Sequence, residues 1–211
     1  MSDNIVPAGK YSLEAKIANS RFISSIGPAS SVADAKNFIL EVKRDLPDAN
    51  HHVPAYIIGS GSSVISHCSD DGEPSGTAGR PSLAVLTGSG LGDTVLVITR
   101  YFGGTKLGTG GLVKAYSNSA RLAVEGVQKA RKIKVHTVQL ESHYKLYEKV
   151  SRSIIQNEGS IEKKDFTDNV KIEFSIPVLN FDTLKLALTE MSHGKIELEV
   201  LDKNLIRIIP L

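Results

Sequence analysis

The chain has 211 residues, of which 41% are hydrophobic and 23% are charged, a composition typical of a globular protein with a buried core. Its net charge of +2 is too small for indiscriminate binding to polyanions, and its single cysteine excludes an intramolecular disulfide. The charge is uneven. Residues 1–134 hold 15 basic and 11 acidic side chains, a net +4, and the remainder hold 10 and 12, a net −2.

The first part of the chain predicts a mixture of strands and helices. Rough alternation over residues 11–18 predicts a strand that leads into residues 20–23. Ser31, with Asp34 three residues later, predicts the start of a helix that ends before Pro47. The next elements, in chain order, are a buried strand at 53–58, its hairpin partner at 64–68 after a turn at 59–63, a short helix at 80–86 that begins near Pro81, a central strand at 93–100 and a helix at 112–127.

A basic stretch at residues 130–134 indicates a boundary between a domain of residues 1–132 and a second domain of residues 133–211. The patterns beyond it predict the order β-α-β-β-α-β, which is typical of the ferredoxin-like fold. The predicted elements lie at 135–141, 144–156, two strands that meet near Asp168, 182–191 and 195–201, with a further edge strand at 205–209. We therefore predict an α+β protein with two domains.

Two segments combine glycines with charges in a way that the rest of the chain does not. They are DDGEPSGTAGRP at residues 70–81 and TRYFGGTKLGTGGLVKAY at residues 99–116. Glycine loses much conformational entropy on folding, so it is used where φ must be positive or where another group comes close to the backbone. We therefore take these segments as the candidate site and expect residues 72–80 and 103–114 to lie side by side on one surface.

These segments resemble the signature of the YigZ/IMPACT family, and the spacing between them is similar too. The SRFI sequence at residues 20–23 and an HxxxAY pattern that begins at His51 add to the resemblance. Val53 stands where the family often has cysteine, and Lys114 stands where it often has arginine, which keeps the charge but loses the bidentate guanidinium. The resemblance implies a first domain like domain 2 of ribosomal protein S5 and a ferredoxin-like second domain similar to one of elongation factor G.

The resemblance to the IMPACT proteins also implies a link to the regulation of translation. Eukaryotic members restrain a stress-activated initiation-factor kinase by competing for its activator. They carry an additional partner-binding domain whose pattern is absent from these 211 residues. That regulatory role therefore does not transfer automatically to this chain, and a link to the regulation of translation is kept as an expectation.

The glycine-rich loop after the predicted central strand predicts an anion site, because backbone N–H groups and a helix N-terminus favour negative charge. It is not a Walker A loop, since Thr109 stands where lysine is required, and it is not a dinucleotide fingerprint, since Val113 replaces the third glycine. The alternative is a tight turn with solvated lysines. The expected anion or nucleic-acid contacts are Arg80, Arg100, Lys106, Lys114, Gly103, Gly104, Gly108 and Gly110.

Four residues near this loop carry individual expectations. Valine in place of Gly104 or Gly110 should damage folding if φ is positive there. Phe102 and Tyr116 are expected in the core rather than as platforms on which bases stack.

Asp70, Asp71 and Glu73 place three carboxylates within four residues, which would suit Mg²⁺ or Ca²⁺. The DxDxDG spacing of a calcium loop is absent, however. We favour the alternative, in which these acids cap turns and pair with Arg80 or Arg100 so that the bases are oriented. No metal or cofactor is predicted.

We predict a non-enzymatic protein that binds RNA or a ribosome-associated partner, because clustered bases release counterions from phosphates. No catalytic residue is predicted, since Cys68 and His67 are neighbours on a strand and face opposite ways. Two alternatives remain: a phosphate-handling small-molecule enzyme that uses the glycine-rich loop and the DDGE acids, and a protein-binding module. We expect a cytoplasmic protein without a membrane segment, and the oligomeric state stays open.

Overall fold

A computed structural model describes residues 4–60 and 63–211. The chain divides into two units, one with the residues up to Lys132 together with Ile208–Leu211, and the other with Ile133–Arg207. The predicted second domain included the last four residues, which the structure places with the first unit, where the N–H of Leu211 donates to the carbonyl of Lys129. The prediction of an α+β protein is confirmed, with two antiparallel sheets.

The first unit contains a five-stranded antiparallel sheet. The elements of this unit are, in chain order, β1 (Asn4–Pro7), β2 (Tyr11–Ile17), β3 (Ser20–Pro28), α1 (Val32–Asp45), β4 (His51–Ser60), β5 (Ser63–Cys68), α2 (Gly79–Gly88), β6 (Thr94–Tyr101) and α3 (Gly108–Gly126). The strand order in this sheet is β2-β3-β6-β4-β5, so the strand predicted to be central is central. The predicted turn at residues 59–63 lies partly outside the described residues.

The apolar run in β6 follows from burial on both faces of the sheet. Leu96 and Ile98 pack into the cluster that contains α2 and α3, whereas Val95 and Val97 pack against α1. Successive side chains of a strand point to opposite faces, so a strand that is covered on both sides needs apolar residues at every position. Strand β6 is therefore packed on both faces up to its end at Tyr101.

Two helix starts follow the sequence signals and a third does not. The Ser31 hydroxyl accepts the N–H of Asp34, which confirms the predicted cap of α1, and α2 begins two residues before Pro81. Helix α3 begins at Gly108, so the predicted start at residue 112 is wrong by four residues. The first turn of α3 is rich in glycine, which hides a helix start because glycine has low helix propensity.

The second unit contains most of the second antiparallel sheet and two helices. Its elements are β7 (Lys129–Ser142), α4 (Tyr144–Gln156), β8 (Ser160–Phe166), β9 (Val170–Pro177), α5 (Phe181–Ser192) and β10 (Leu198–Pro210). Strand β9 pairs with both β7 and β8, and β10 pairs with β7. The elements follow the predicted order, and their core includes Phe174, Ile172 and Leu184.

Three details of the strands differ from the prediction. Residues 130–134 are not a connector but part of β7, whose first four residues pair with β1. The predicted strands at 195–201 and 205–209 form one strand, β10. Strand β1 was not predicted, because four residues give too short a pattern. No helix within residues 4–60 and 63–211 has the length and apolar character that a membrane span needs.

The glycines of the loop before α3 are needed for different structural reasons. A Cβ on Gly103 would lie 1.9 Å from the carbonyl oxygen of Asn19, and Gly104 and Gly108 have φ of +83° and +70°. Gly110 has no such constraint, since it lies in α3 with open space around it and its φ is not positive, so the condition set for damage by valine is met at Gly104 and not at Gly110.

We predict that Gly103→Ala and Gly110→Ala shift stability in opposite directions. Gly103→Ala should lower the free energy of unfolding by about 3 kcal/mol, because the added methyl group overlaps the turn at Asn19. Gly110→Ala should raise it by about 0.5–1 kcal/mol through reduced entropy of the unfolded chain. Urea unfolding of both variants measures the difference. Equal stability of Gly103→Ala and the wild type would contradict the close approach.

Candidate functional site

A cavity of about 480 Å³ lies in the first unit where β6 ends and α3 begins. The two candidate segments meet there, as expected, since both contribute to its wall. The lining residues are Asn50, His51, Glu73, Pro74, Arg100, Phe102, Lys106, Leu107, Gly108, Thr109 and Leu112. The cavity therefore combines charged groups, apolar side chains and a helix N-terminus.

A buried network forms the polar part of this wall. Arg100 Nη1 donates to Glu73 Oε1 at 2.7 Å, and the Tyr116 hydroxyl donates to the same oxygen at 2.8 Å. The side chains of Glu73 and Arg100 are only 3% and 5% exposed. The expected pairing of Glu73 with Arg100 is thus observed. Arg100, which was predicted to contact an anion, is already neutralised by a carboxylate.

Arg100 is held by further contacts and keeps one donor unused. Its Nη2 lies 3.3 Å from Ser20 Oγ, and the rings of Phe22 and Phe102 each lie 5.5 Å from the guanidinium carbon. Its buried Nε has no hydrogen-bond partner within the described parts of the chain. A buried donor without a partner costs about 1–3 kcal/mol, which an incoming acceptor would recover.

Tyr116 stays protonated within the network. Burial raises the pKa of the Tyr116 hydroxyl far above its usual value, and the hydrogen bond to the Glu73 carboxylate raises this pKa further. The hydroxyl therefore remains a donor to Glu73. Tyr116 lies in the core, as predicted, and its ring meets Phe22 edge to face at a centroid distance of 5.4 Å.

His51 is a wall residue that the sequence did not identify as part of the site. Its Nδ1 lies 2.8 Å from the carbonyl oxygen of Asp71, which only accepts, so Nδ1 carries the hydrogen. Nε2 lies 3.9 Å from Glu73 Oε1. His51 is the cross-strand partner of Arg100, and the only sequence signal for it was the HxxxAY pattern.

The acids Asp70 and Asp71 are engaged away from the cavity. Asp70 accepts the N–H groups of Gly76, Ala78 and Gly79 and so caps the turn before α2. Burial raises the pKa of Asp70, but these three donors outweigh burial and its pKa is lowered overall. The prediction that the acids cap turns is right for Asp70.

Asp71 does not pair with an arginine. Its carboxylate accepts the N–H of His52 at 2.6 Å and the ammonium group of Lys43 at 3.2 Å. The expected pairing with Arg80 or Arg100 is therefore wrong for Asp71, because its left-handed backbone, with φ of +46°, turns the carboxylate towards β4 and α1.

The four predicted bases do not converge on one place. Lys106 and Arg100 line the cavity, whereas Lys114 lines a separate groove beside α3. Arg80 is exposed near the start of α2, where its charge helps to lower the pKa of Asp70. Of the predicted glycines, Gly108 lines the cavity, Gly103 packs against the turn at Asn19, and Gly104 and Gly110 are exposed.

Helix α3 presents its N-terminus to the cavity without a side-chain cap. Leu107 occupies the cap position, no described side chain accepts a cap hydrogen bond there, and the first turn holds no acid. The first N–H groups of a helix have no intrahelical partner, and the helix dipole makes this end positive. The cavity therefore offers unpaired N–H donors beside Lys106.

Phe102 does not lie in the core, so the expectation for this residue is wrong. It is 45% exposed and lies one residue beyond the end of β6, where Asn50 Oδ1 accepts its N–H at 2.7 Å. The ring covers the Arg100 guanidinium and lines the cavity. A residue that follows a buried strand is apolar by pattern, but the chain turns out of the sheet at this position.

Comparisons with known proteins identify relatives that match both units. Residues 18–124 match the sequence profile of the Impact N-terminal domain, and residues 140–195 match a domain of unknown function, DUF1949. The chain is 34% identical over 204 residues to IMPACT family member YigZ of Escherichia coli, covering 96% of this chain and 100% of that protein. It is 32% identical over 203 residues to an IMPACT family member of Haemophilus influenzae, covering 96% and 98%.

A solved structure, the crystal structure of a hypothetical protein, is also similar, with a TM-score of 0.62, 34% identity and coverage of 96% of this chain and 98% of that chain. The chain is thus a two-domain protein, with an Impact N-terminal domain followed by a DUF1949 domain. It belongs to the IMPACT family, and the predicted resemblance is confirmed.

We predict that the burial of Tyr116 lowers the stability of the protein at alkaline pH. The folded-state pKa of Tyr116 lies above its unfolded value of about 10, so its contribution is complete below pH 10 and is lost as pH rises through this value. Relative to Tyr116→Phe, the wild type should lose about 1.4 kcal/mol of unfolding free energy by pH 11. Urea unfolding at pH 8 and pH 11 measures this, and equal pH dependence of both proteins would contradict it.

Proposed function

We propose that the protein binds RNA, without a chemical reaction, by holding one nucleotide in the cavity between β6 and α3. The observation that carries this proposal is the uncapped N-terminus of α3, which opens into the cavity beside Lys106. Free N–H groups, a helix dipole and an ammonium group together suit a phosphate. A regulatory role in translation and a cytoplasmic location fit this function and belong to the same proposal.

The electrostatic balance of the cavity supports an anionic ligand. Glu73 would repel a phosphate, but Arg100 forms an ion pair with it at 2.7 Å, so the pair has no net charge. Lys106 is exposed, lies on the wall and remains positive. The α3 N-terminus adds about 0.3–1 kcal/mol of attraction for an anion at an exposed site.

The aromatic side of the cavity supports a nucleotide rather than a simple phosphate ion. Phe102 offers an exposed ring at the wall, beside the apolar side chains of Leu107 and Leu112. Stacking of a base on an aromatic side chain contributes about 1–3 kcal/mol. This energy does not depend on sequence, so we expect little preference among bases.

The hydrogen bonds that the three carboxylates of this segment already accept favour RNA binding over the enzyme alternative. Asp70 and Asp71 already accept backbone N–H groups, and Glu73 already accepts from Arg100 and Tyr116. Carboxylates that are engaged in this way are poor candidates for ligands of a metal or for a general base. The expected likeness of the domains to ribosomal protein S5 and to elongation factor G agrees with RNA or ribosome contact, although a fold does not determine a function.

We predict that Lys106→Ala weakens RNA binding about fivefold at 0.1 M salt. One phosphate contact on a single strand contributes a slope of about −0.7 in log K against log salt, which corresponds to this factor. Fluorescence anisotropy with a labelled 12-nucleotide RNA measures the affinity of the wild type, Lys106→Ala and the control Lys36→Ala, which removes an exposed lysine of α1.

The control variant should bind like the wild type. Absence of wild-type binding at low salt, or binding that does not change with salt, would refute the proposal. Gel analysis of the same RNA after incubation separates the alternatives, since cleaved or dephosphorylated RNA would favour the enzyme.

A further inference from the structure

A second concave surface lies on α3 next to the cavity. It is a groove of about 620 Å³, and its polar wall consists of Lys114, Ser117, Asn118 and Arg121. Within residues 4–60 and 63–211, neither Lys114 nor Arg121 forms an ion pair, and no acid lines the groove. Two unpaired cations therefore face the same open groove.

The groove adjoins the cavity. Leu107 lines both, and Lys106 precedes it in the chain on the cavity side. Lys114 and Arg121 are seven residues apart on α3, which is two helical turns, so they lie on the same face about 10.5 Å apart along the axis. The bases thus form a series that starts at the cavity and extends along α3.

The charge of this surface exceeds that of the whole chain. Lys106, Lys114 and Arg121 contribute +3, and the Arg100–Glu73 pair contributes none, whereas the chain as a whole carries +2. A positive surface on which Glu73, the acid in the described cavity wall, is neutralised by Arg100 is complementary to a polyanion rather than to a single phosphate.

We propose that the cavity and the groove form one path for a single strand of RNA, with one nucleotide in the cavity and the adjoining phosphates along Lys114 and Arg121. This inference rests on the proposed RNA binding and adds the path along which the RNA strand lies. The base in the cavity must be unstacked to reach Phe102, which a base pair inside a duplex does not allow. A paired duplex is therefore excluded from the path.

A length series tests whether the path extends beyond the cavity. Isothermal titration calorimetry with uridine 5′-monophosphate and with hexauridylate compares one nucleotide with several. If only the cavity binds RNA, the two ligands should have equal affinity per binding site. If the path exists, hexauridylate should bind at least tenfold more tightly than uridine 5′-monophosphate, because it makes added phosphate contacts. Equal affinities would overturn the path and leave the proposed nucleotide binding intact.

A double variant of the groove provides the second arm. Lys114→Ala with Arg121→Ala should weaken hexauridylate binding about 25-fold at 0.1 M salt and reduce the salt slope by about 1.4, and it should leave the affinity for uridine 5′-monophosphate unchanged. Lys36→Ala with Arg44→Ala removes the same charge from the exposed side of α1 and is the matched control. Circular dichroism melting shows that each variant is folded.

The outcomes separate this inference from the proposed function. A double variant that binds hexauridylate like its control would overturn the path, even if Lys106→Ala weakens binding. A 12-nucleotide RNA duplex that binds as tightly as the single strand would also overturn it. If the wild type binds neither uridine 5′-monophosphate nor hexauridylate at low salt, both proposals fall together.

Discussion

The buried ion pair between Glu73 and Arg100 is the interaction on which the rest of the site depends. It joins the segment before α2 to the central strand β6, and the same Glu73 oxygen accepts the Tyr116 hydroxyl of α3, while Arg100 also contacts Ser20 of β3. The ion pair thus connects the segment before α2 with three elements, β3, β6 and α3. Removal of either charged partner would leave an uncompensated buried charge, at a cost of about 3–5 kcal/mol.

The same pair explains how an acidic segment can border an anion site. In an effective dielectric constant of about 20, a charge of the same sign 4 Å away would cost an anion about 4 kcal/mol. Arg100 cancels that repulsion, and the burial of Tyr116 keeps its hydroxyl protonated as a second donor to Glu73. The attraction at the cavity then comes from Lys106 and from the N-terminus of α3, whose N–H groups have no side-chain cap among the described residues.

The sequence predicted most elements, because these depend on local patterns. It also predicted that the acids Asp70, Asp71 and Glu73 pair with Arg80 or Arg100, and the structure shows this pairing for Glu73 with Arg100. Prediction from the sequence failed where the position of a residue depends on a contact with a distant part of the chain. Asp71 pairs with Lys43 of α1, and His51 meets the site only because β4 is registered against β6. Helix α3 starts at Gly108, which low helix propensity conceals, so Gly110 lies in a helix rather than a strained turn. Lys114 lies two residues after Leu112 on α3 and therefore on a different face of the helix, so it lines the groove and not the cavity that Lys106 lines.

The most direct test of the account is an NMR titration of the protein with uridine 5′-monophosphate. It follows the backbone amides of residues 108–111 and the side-chain Nε–H of Arg100, the buried donor that has no partner within residues 4–60 and 63–211. Binding of the nucleotide in the cavity predicts saturable shift changes for these signals, because the phosphate contacts the α3 N-terminus and the base covers Phe102. Saturable changes confined to other residues, with those signals unmoved, would contradict it.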